Sequence, residues 1–207
     1  MNQAHVHAVA EYLQFLRPAF PESARPSRVY DHLGALLADL SLQAGVNYDH
    51  VVRPRVNSIL VRFPTTSALT GLRTAIGEIG VEEYLQWRGQ EKIGLFQSLL
   101  ALMSRNGHET VEDLSLWCVC GRTKAVLLSL PRFGPKSFDY LRLLCGVESI
   151  PLDRHIVRFL QLAGLDCLSM EYTEMQEILL AACRHISLEP YKAERGLWLL
   201  MRSCSPR

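Results

Sequence analysis

Apolar residues recur at helical spacing along almost the whole of this chain of 207 residues. One such stripe runs through Val29, Leu33, Leu36, Leu37 and Leu40. Residues three and four apart share one face of an α-helix, whereas a half-buried strand alternates with a period of two. No segment sustains that alternation, so the sequence predicts an all-α protein.

Helix-breaking residues divide the pattern into about ten helices. Clear breaks lie at Pro64 to Ser67, at Asn106 with Gly107, and at Pro131 to Pro135. The stretch from Pro18 to Pro26 is rich in proline and is interpreted as a hinge after an N-terminal helix. We find no repeat of fixed period.

Composition excludes several classes of protein. With 48% hydrophobic and 21% charged residues, the chain is typical of a globular protein and unlike a disordered one. Its length suits one large domain or two small lobes. A formal net charge of +1 lacks the strong basicity of a protein that coats nucleic acid. Any nucleic-acid role must therefore be local, and the segment from Gly121 to Phe159 holds seven cations against three anions.

The location of the protein is predicted from what the sequence lacks. It has no apolar run long enough to span a membrane, and the first ten residues do not resemble a signal peptide. Its six cysteines include no CxxC pair and are expected to be reduced thiols. We therefore expect a soluble, cytoplasmic protein.

One segment carries a pattern that suggests chemistry. Residues 126–146 read VLLSLPRFGPKSFDYLRLLCG, which predicts two apolar helices joined by a tight turn, a helix-hairpin-helix. The N–H groups of such a turn suit one phosphate. Farther on, Asp153 follows Pro151 at the start of a predicted helix. Taken alone, Asp153 is an ordinary helix N-cap and Lys136 a solvated surface cation.

The two elements together resemble the signature of the helix-hairpin-helix DNA glycosylases of the endonuclease III superfamily. That family has a hairpin of the form LPGVGxK, followed about 18 residues later by V-D-x-H. The matching residues, in order, are Leu130, Pro131, Gly134, Lys136, Asp153 and His155. Upstream, LADLSLQAG at residues 37–45 resembles the family's LLSAQ segment and puts Gln43 on its glutamine.

The chain also departs from that family in three places. Arg132 replaces the first hairpin glycine and Leu152 replaces the usual valine. We expect a negative φ at residue 132, because a side chain disfavours the left-handed region. The C-terminal group of four close cysteines is missing, so we expect neither an iron–sulfur cluster, nor a metal, nor any other cofactor.

The resemblance implies a role for each matched residue. Lys136 would be the nucleophile that attacks the sugar C1′ and forms an imine, and Asp153 would stabilise the positive charge that develops on the sugar. His155 would contact a backbone phosphate. Gln43 would fill the gap left by the extruded base. The hairpin residues Arg132, Phe133 and Gly134 would contact DNA.

The implied fold is a two-lobed glycosylase. A helical barrel lobe with the hairpin would span residues 26–148, and residues 1–25 and 149–207 would form a second lobe carrying the catalytic aspartate. The cleft between them would bring Lys136 and Asp153 face to face.

The implied function is a bifunctional base-excision-repair DNA glycosylase with abasic-site lyase activity on 8-oxoguanine or an oxidised pyrimidine. Its partner would be damaged double-stranded DNA, bound by a monomer in the cytoplasm or nucleoid of a prokaryote or in a nucleus. Two alternatives stay open: a non-catalytic DNA-binding module that keeps the hairpin for phosphate, and a monofunctional glycosylase.

Overall fold

The computed structural model describes residues 2–20 and 28–203, and these residues contain twelve α-helices and no strand. The all-α prediction is confirmed. The helices are α1 Gln3–Leu16, α2 Leu33–Leu42, α3 Arg53–Arg62, α4 Leu69–Ile79, α5 Val81–Leu85, α6 Gln90–Asn106, α7 Val111–Cys118, α8 Thr123–Leu128, α9 Pro135–Leu144, α10 Arg154–Leu162, α11 Tyr172–His185 and α12 Pro190–Ser203. Short 3-10 helices at Arg17–Ala19 and Pro64–Ser67 and a π-helical turn at Tyr48–Val52 complete the list.

The helix number exceeds the ten or so expected from periodicity because α5 and α8 have only five and six residues. A helix that short holds too few apolar positions to show a period. None of the described helices is long and apolar enough to cross a membrane. Most of the predicted hinge from Pro18 to Pro26 lies outside the described residues.

The chain divides into two compact units, one of residues 27–147 and one that joins residues 1–26 to residues 148–207. The central helix of the first of these is α2, in which every residue is buried. Its sequence, LGALLADLSL, is apolar except for Asp39 and Ser41, which is the composition of a helix covered on every side. Helices α3, α4, α6 and α9 pack against it.

The start of α2 is fixed by a histidine cap. The His32 Nδ1 atom accepts a hydrogen bond from the Ala35 N–H at 3.1 Å, and its Nε2 atom donates to the Phe63 carbonyl at 3.0 Å. Only a neutral ring with its proton on Nε2 satisfies both contacts. Within the first turn of α2, Gly34 lies so close to the Tyr84 hydroxyl that any side chain there would clash.

The unit of residues 1–26 and 148–207 has its own apolar core. Helix α1 packs on α11, and α10 packs on α12. The core includes Val9 and Leu13 from α1 and Phe159 from α10, all fully buried. The described cysteines of the whole chain are free thiols, and Cys204 lies outside the described residues.

Candidate active site

The hairpin turn joins α8 to α9 and is anchored by apolar side chains. The Phe133 N–H donates to the Leu130 carbonyl at 3.2 Å, which closes a four-residue turn with Pro131 in its second position. The Phe133 side chain is only 3% exposed and belongs to the core. We predicted a DNA contact at this residue, and its burial leaves only the backbone of Phe133 to make one.

The backbone conformation of Arg132 differs from the predicted one. This residue has a φ of 62°, in the left-handed region, and not the negative φ that a side chain favours. The reason is the turn itself: proline in the second position followed by a left-handed residue in the third is the pattern of a type II turn. Arg132 therefore holds a backbone conformation that glycine adopts without a steric penalty. Its exposed guanidinium pairs with Glu91 on α6, which offsets the positive charge it offers to its surroundings.

Gly134 precedes the first residue of α9 and leaves the helix end open. Its φ of −100° suits any residue, and a Cβ atom built there would meet no other atom within 4 Å. No side chain caps α9, whose first residue is Pro135. Neither backbone conformation nor packing inside the chain requires this glycine, and the space above it is free for a ligand.

Lys136 lies in the first turn of α9, partly buried beside the end of α2. Its Nζ atom donates to the Gln43 Oε1 atom at 3.1 Å. Gln43 is the C-cap of α2 and bonds its own N–H to the Asp39 carbonyl at 3.0 Å. Two predicted site residues, 93 positions apart in sequence, thus touch through their functional groups.

The start of α6 secures the backbone around Gln43. Lys92 donates to the carbonyls of the two flanking residues, Leu42 and, at 2.6 Å, Ala44. Its Nζ atom also lies 5.2 Å from the centre of the Trp87 ring. Burial lowers the pKa of the Lys92 amine, and the nearby Glu91 carboxylate opposes that shift. The sequence analysis missed Lys92, which has no distinctive local pattern.

A buried carboxylate that was not predicted from the sequence lies one helical turn before Gln43. The carboxylate of Asp39 is fully buried and accepts hydrogen bonds from the hydroxyls of Tyr30, Tyr48 and Tyr140. Tyr140 belongs to α9, one turn beyond Lys136.

In the unit that holds α10, Asp153 is the N-cap of that helix, as its position after Pro151 suggested. Its Oδ1 atom accepts from the His155 N–H at 2.8 Å and from the Ile156 N–H at 2.9 Å. Both cap bonds use one oxygen, so Oδ2 is outside the cap. Capping therefore leaves half of the carboxylate for another role.

His155 is 6% exposed, and its ring meets the edge of Trp198 with the ring centres 6.5 Å apart. Burial lowers the pKa of His155, while the Asp153 carboxylate opposes this shift. The imidazole is therefore neutral at pH 7, and the Arg154 Nε atom donates to its Nε2 atom at 3.4 Å. A phosphate contact from this residue, as predicted, would come from a neutral ring.

Glu194 on α12 was not singled out from the sequence. Burial, and then the negative charge of Asp153, raise the pKa of Glu194 to about 7. The neighbouring Arg195 lowers it only in part. The carboxylate that caps α10 therefore disfavours ionisation of Glu194 on α12.

No protein-family model, no curated protein and no solved structure matches this chain.

Proposed function

We propose that this chain is a helix-hairpin-helix DNA glycosylase with abasic-site lyase activity, which removes an oxidised base from duplex DNA. In this proposal the protein has the two-lobed glycosylase fold, works as a monomer without a cofactor, and acts wherever the cell keeps its DNA. The cytoplasm or nucleoid of a prokaryote and the nucleus of a eukaryote both fit.

The observation that carries the proposal is the hydrogen bond between Lys136 and Gln43. An amine that attacks C1′ and a side chain that fills the gap of the extruded base must act at the same nucleotide. Residues with these two roles therefore have to lie within a few ångströms of each other. The contact at 3.1 Å meets that requirement, although nothing in the sequence separation of 93 residues demands it.

The proposed chemistry begins with the amine. The Lys136 Nζ lone pair attacks C1′, and the glycosidic C–N bond breaks, releasing the base with its bonding electrons. The amine gives up its two protons, one to the departing base and one to the ring oxygen, so that the sugar ring opens and the new C1′–N bond becomes an imine. Loss of a C2′ proton then expels the 3′ phosphate by β-elimination and cuts the strand. A water nucleophile would leave only an abasic site, so the lysine distinguishes the bifunctional from the monofunctional enzyme.

Asp153 would stabilise the positive charge that grows on the sugar as the base departs. The free Oδ2 atom suits that task, since the cap bonds occupy Oδ1 alone. Phosphate binding alone requires neither an aspartate here nor a lysine at position 136, which favours an enzyme over a non-catalytic binding module.

The hairpin would hold one phosphate. The start of α9 has no side-chain cap, and the open space above Gly134 lets a phosphate oxygen approach its N–H groups. The local excess of cations between Gly121 and Phe159 adds attraction for the backbone without selecting a sequence. Binding should therefore weaken as salt rises.

The test is borohydride trapping on duplexes that carry a set of oxidised bases or an abasic site. Borohydride reduces the imine to a stable amine, so the wild type should give a covalent protein–DNA band on a denaturing gel. Lys136→Gln should abolish the band. Lys124→Gln, which removes one cation from the same hairpin, is the matched control and should keep it.

Two results would contradict the proposal. A wild-type protein that binds abasic-site DNA but forms neither a crosslink nor a cut strand would be a binding module. A crosslink that survives Lys136→Gln would assign the chemistry to a different amine.

A further inference from the structure

The buried carboxylate of Asp39 is bound by three tyrosine hydroxyls from three different parts of the fold. Tyr30 precedes α2 and donates to Oδ2 at 2.6 Å, and Tyr48 follows α2 and donates to the same oxygen at 2.8 Å. Tyr140 on α9 donates to Oδ1 at 2.8 Å. Both oxygens of a side chain with no exposed surface are therefore hydrogen-bonded.

Such a cluster is not a simple way to stabilise a core. Transferring a carboxylate from water to a buried position costs free energy that an apolar side chain at the same place would not incur. Burial raises the pKa of Asp39, and the three hydroxyl bonds oppose that shift. Burial and the Asp39 charge raise the pKa of Tyr48 to about 12 and that of Tyr140 well above its usual range. The tyrosines are therefore neutral donors at pH 7.

The hydrogen bonds of the cluster fix the relative position of the helices that they join. Apolar side chains allow neighbouring helices to slide by small amounts, whereas hydrogen bonds require defined distances and angles. The bond between Asp39 and Tyr140 connects α2 to α9, and the bond between Gln43 and Lys136 connects the same two helices. Asp39 and Gln43 are four residues apart on one face of α2, and Lys136 and Tyr140 are four residues apart on one face of α9. The two hydrogen bonds between the helices are therefore about 6 Å, or one helical turn, apart.

We propose that Asp39 is a positioning residue for the Lys136 amine, acting through Tyr140 to hold α9 in register with α2. This inference rests on the proposed function, because it assigns a purpose to the position of Lys136. Asp39 does not touch the reacting atoms. Its bond to Tyr140 fixes the position of α9 along its own axis and its rotation about that axis. These two quantities determine the position from which the Lys136 side chain extends toward C1′.

The three tyrosines supply a matched set of variants. Tyr30→Phe, Tyr48→Phe and Tyr140→Phe each remove one hydroxyl from the same carboxylate and leave two hydrogen bonds on it. Tyr140→Phe leaves Oδ1 without a donor, whereas Oδ2 keeps one donor in either of the other variants, so Tyr140→Phe should cost more stability. All trapping rates are therefore compared well below the lowest unfolding temperature, where each variant is folded. Only Tyr140 lies on the helix that carries Lys136, so under these conditions a purely structural role for the cluster predicts equal trapping rates, and a positioning role does not.

The experiment measures the rate of borohydride trapping on abasic-site DNA in a single turnover, together with the affinity for that DNA and the unfolding temperature. We expect Tyr140→Phe to slow trapping about tenfold or more, because even a small displacement of the Lys136 amine from its reactive position lowers the reaction rate. Affinity should be unchanged. Tyr30→Phe and Tyr48→Phe should trap at the wild-type rate.

Equal trapping rates in the three variants would overturn the inference while leaving the proposed function intact. A wild type that gives no crosslink would instead refute the proposed function, and the inference with it. If Tyr140→Phe does not fold, Asp39→Asn serves in its place, since it weakens the same bond by removing the charge. Trapping by Asp39→Asn at the rate of Tyr30→Phe would then count against a positioning role.

Discussion

Arg132 tests whether the hairpin turn truly requires a left-handed residue. The perturbation is a pair of substitutions, Arg132→Gly and Arg132→Ala, at a position with a φ of 62°. Both remove the ion pair with Glu91. They differ only in the Cβ atom, so their difference in stability isolates the conformational cost of holding a side chain in this region.

The magnitude follows from three effects. A residue with a Cβ atom in the left-handed region is disfavoured by about 1–2 kcal/mol. Glycine loses more backbone entropy on folding than alanine does, which reduces the advantage of the glycine variant by about 0.5–1 kcal/mol. The ion pair joins two side chains that are 61% and 66% exposed, so its loss costs only a few tenths of a kcal/mol. Arg132→Gly should therefore be about 1 kcal/mol more stable than Arg132→Ala and at least as stable as the wild type.

Urea denaturation followed by circular dichroism measures this difference directly. The unfolding temperature should shift in the same direction, by about 2–4 °C for a protein of this size. Glu91→Gln removes the ion pair alone and gives its share separately. An alanine variant that is about 0.5–1 kcal/mol more stable than the glycine variant would show the entropy cost of glycine alone. The turn would then relax to a negative φ at no cost, and the type II assignment would be refuted.

Three further predictions use other parts of the candidate site. Gly134→Ala should fold with wild-type stability, because its φ and surroundings accept a Cβ atom, yet bind abasic-site DNA less tightly in a fluorescence anisotropy titration. Asp153→Asn should keep DNA binding and lose most base excision in a gel assay, because the amide retains part of the cap without the charge. Glu194 contributes stability that is fully present below pH 4.5 and is lost as pH rises through about 7, because its pKa is raised on folding from 4.5 to about 7. Glu194→Gln should remove that loss, so denaturation at pH 5 and pH 8 should show a smaller difference than in the wild type.

The parts of the fold that could be predicted from the sequence are those determined by residues close together in the chain. The stripe through Leu33, Leu36, Leu37 and Leu40 predicted a helix, and α2 spans these residues. Pro151 followed by Asp153 marked a helix start, and Asp153 caps α10. In both cases the interactions that decide the structure lie within a few residues of each other.

The parts that were missed depend on contacts between distant segments. Nothing near Asp39 indicates that Tyr30, Tyr48 and Tyr140 would meet at its carboxylate, because that meeting depends on how α9 packs against α2. Arg132 misled the prediction of its φ for a related reason. Its residue type disfavours the left-handed region by about 1–2 kcal/mol, and the geometry of the turn overrides so small a preference.

Under the proposed function, the bond between Lys136 and Gln43 cannot last through the reaction. Gln43 can fill the gap in the duplex only if its Oε1 atom leaves the Lys136 amine, so the loss of this hydrogen bond and the filling of the gap occur together. Losing this bond costs about 1 kcal/mol, less than the few kcal/mol needed to extrude a base. Lys92 holds the carbonyls of Leu42 and Ala44, so the backbone of Gln43 can stay in place while its side chain moves. Under the proposed function, the hydrogen bond from Lys136 to Gln43 would therefore break only when a base has left the helix.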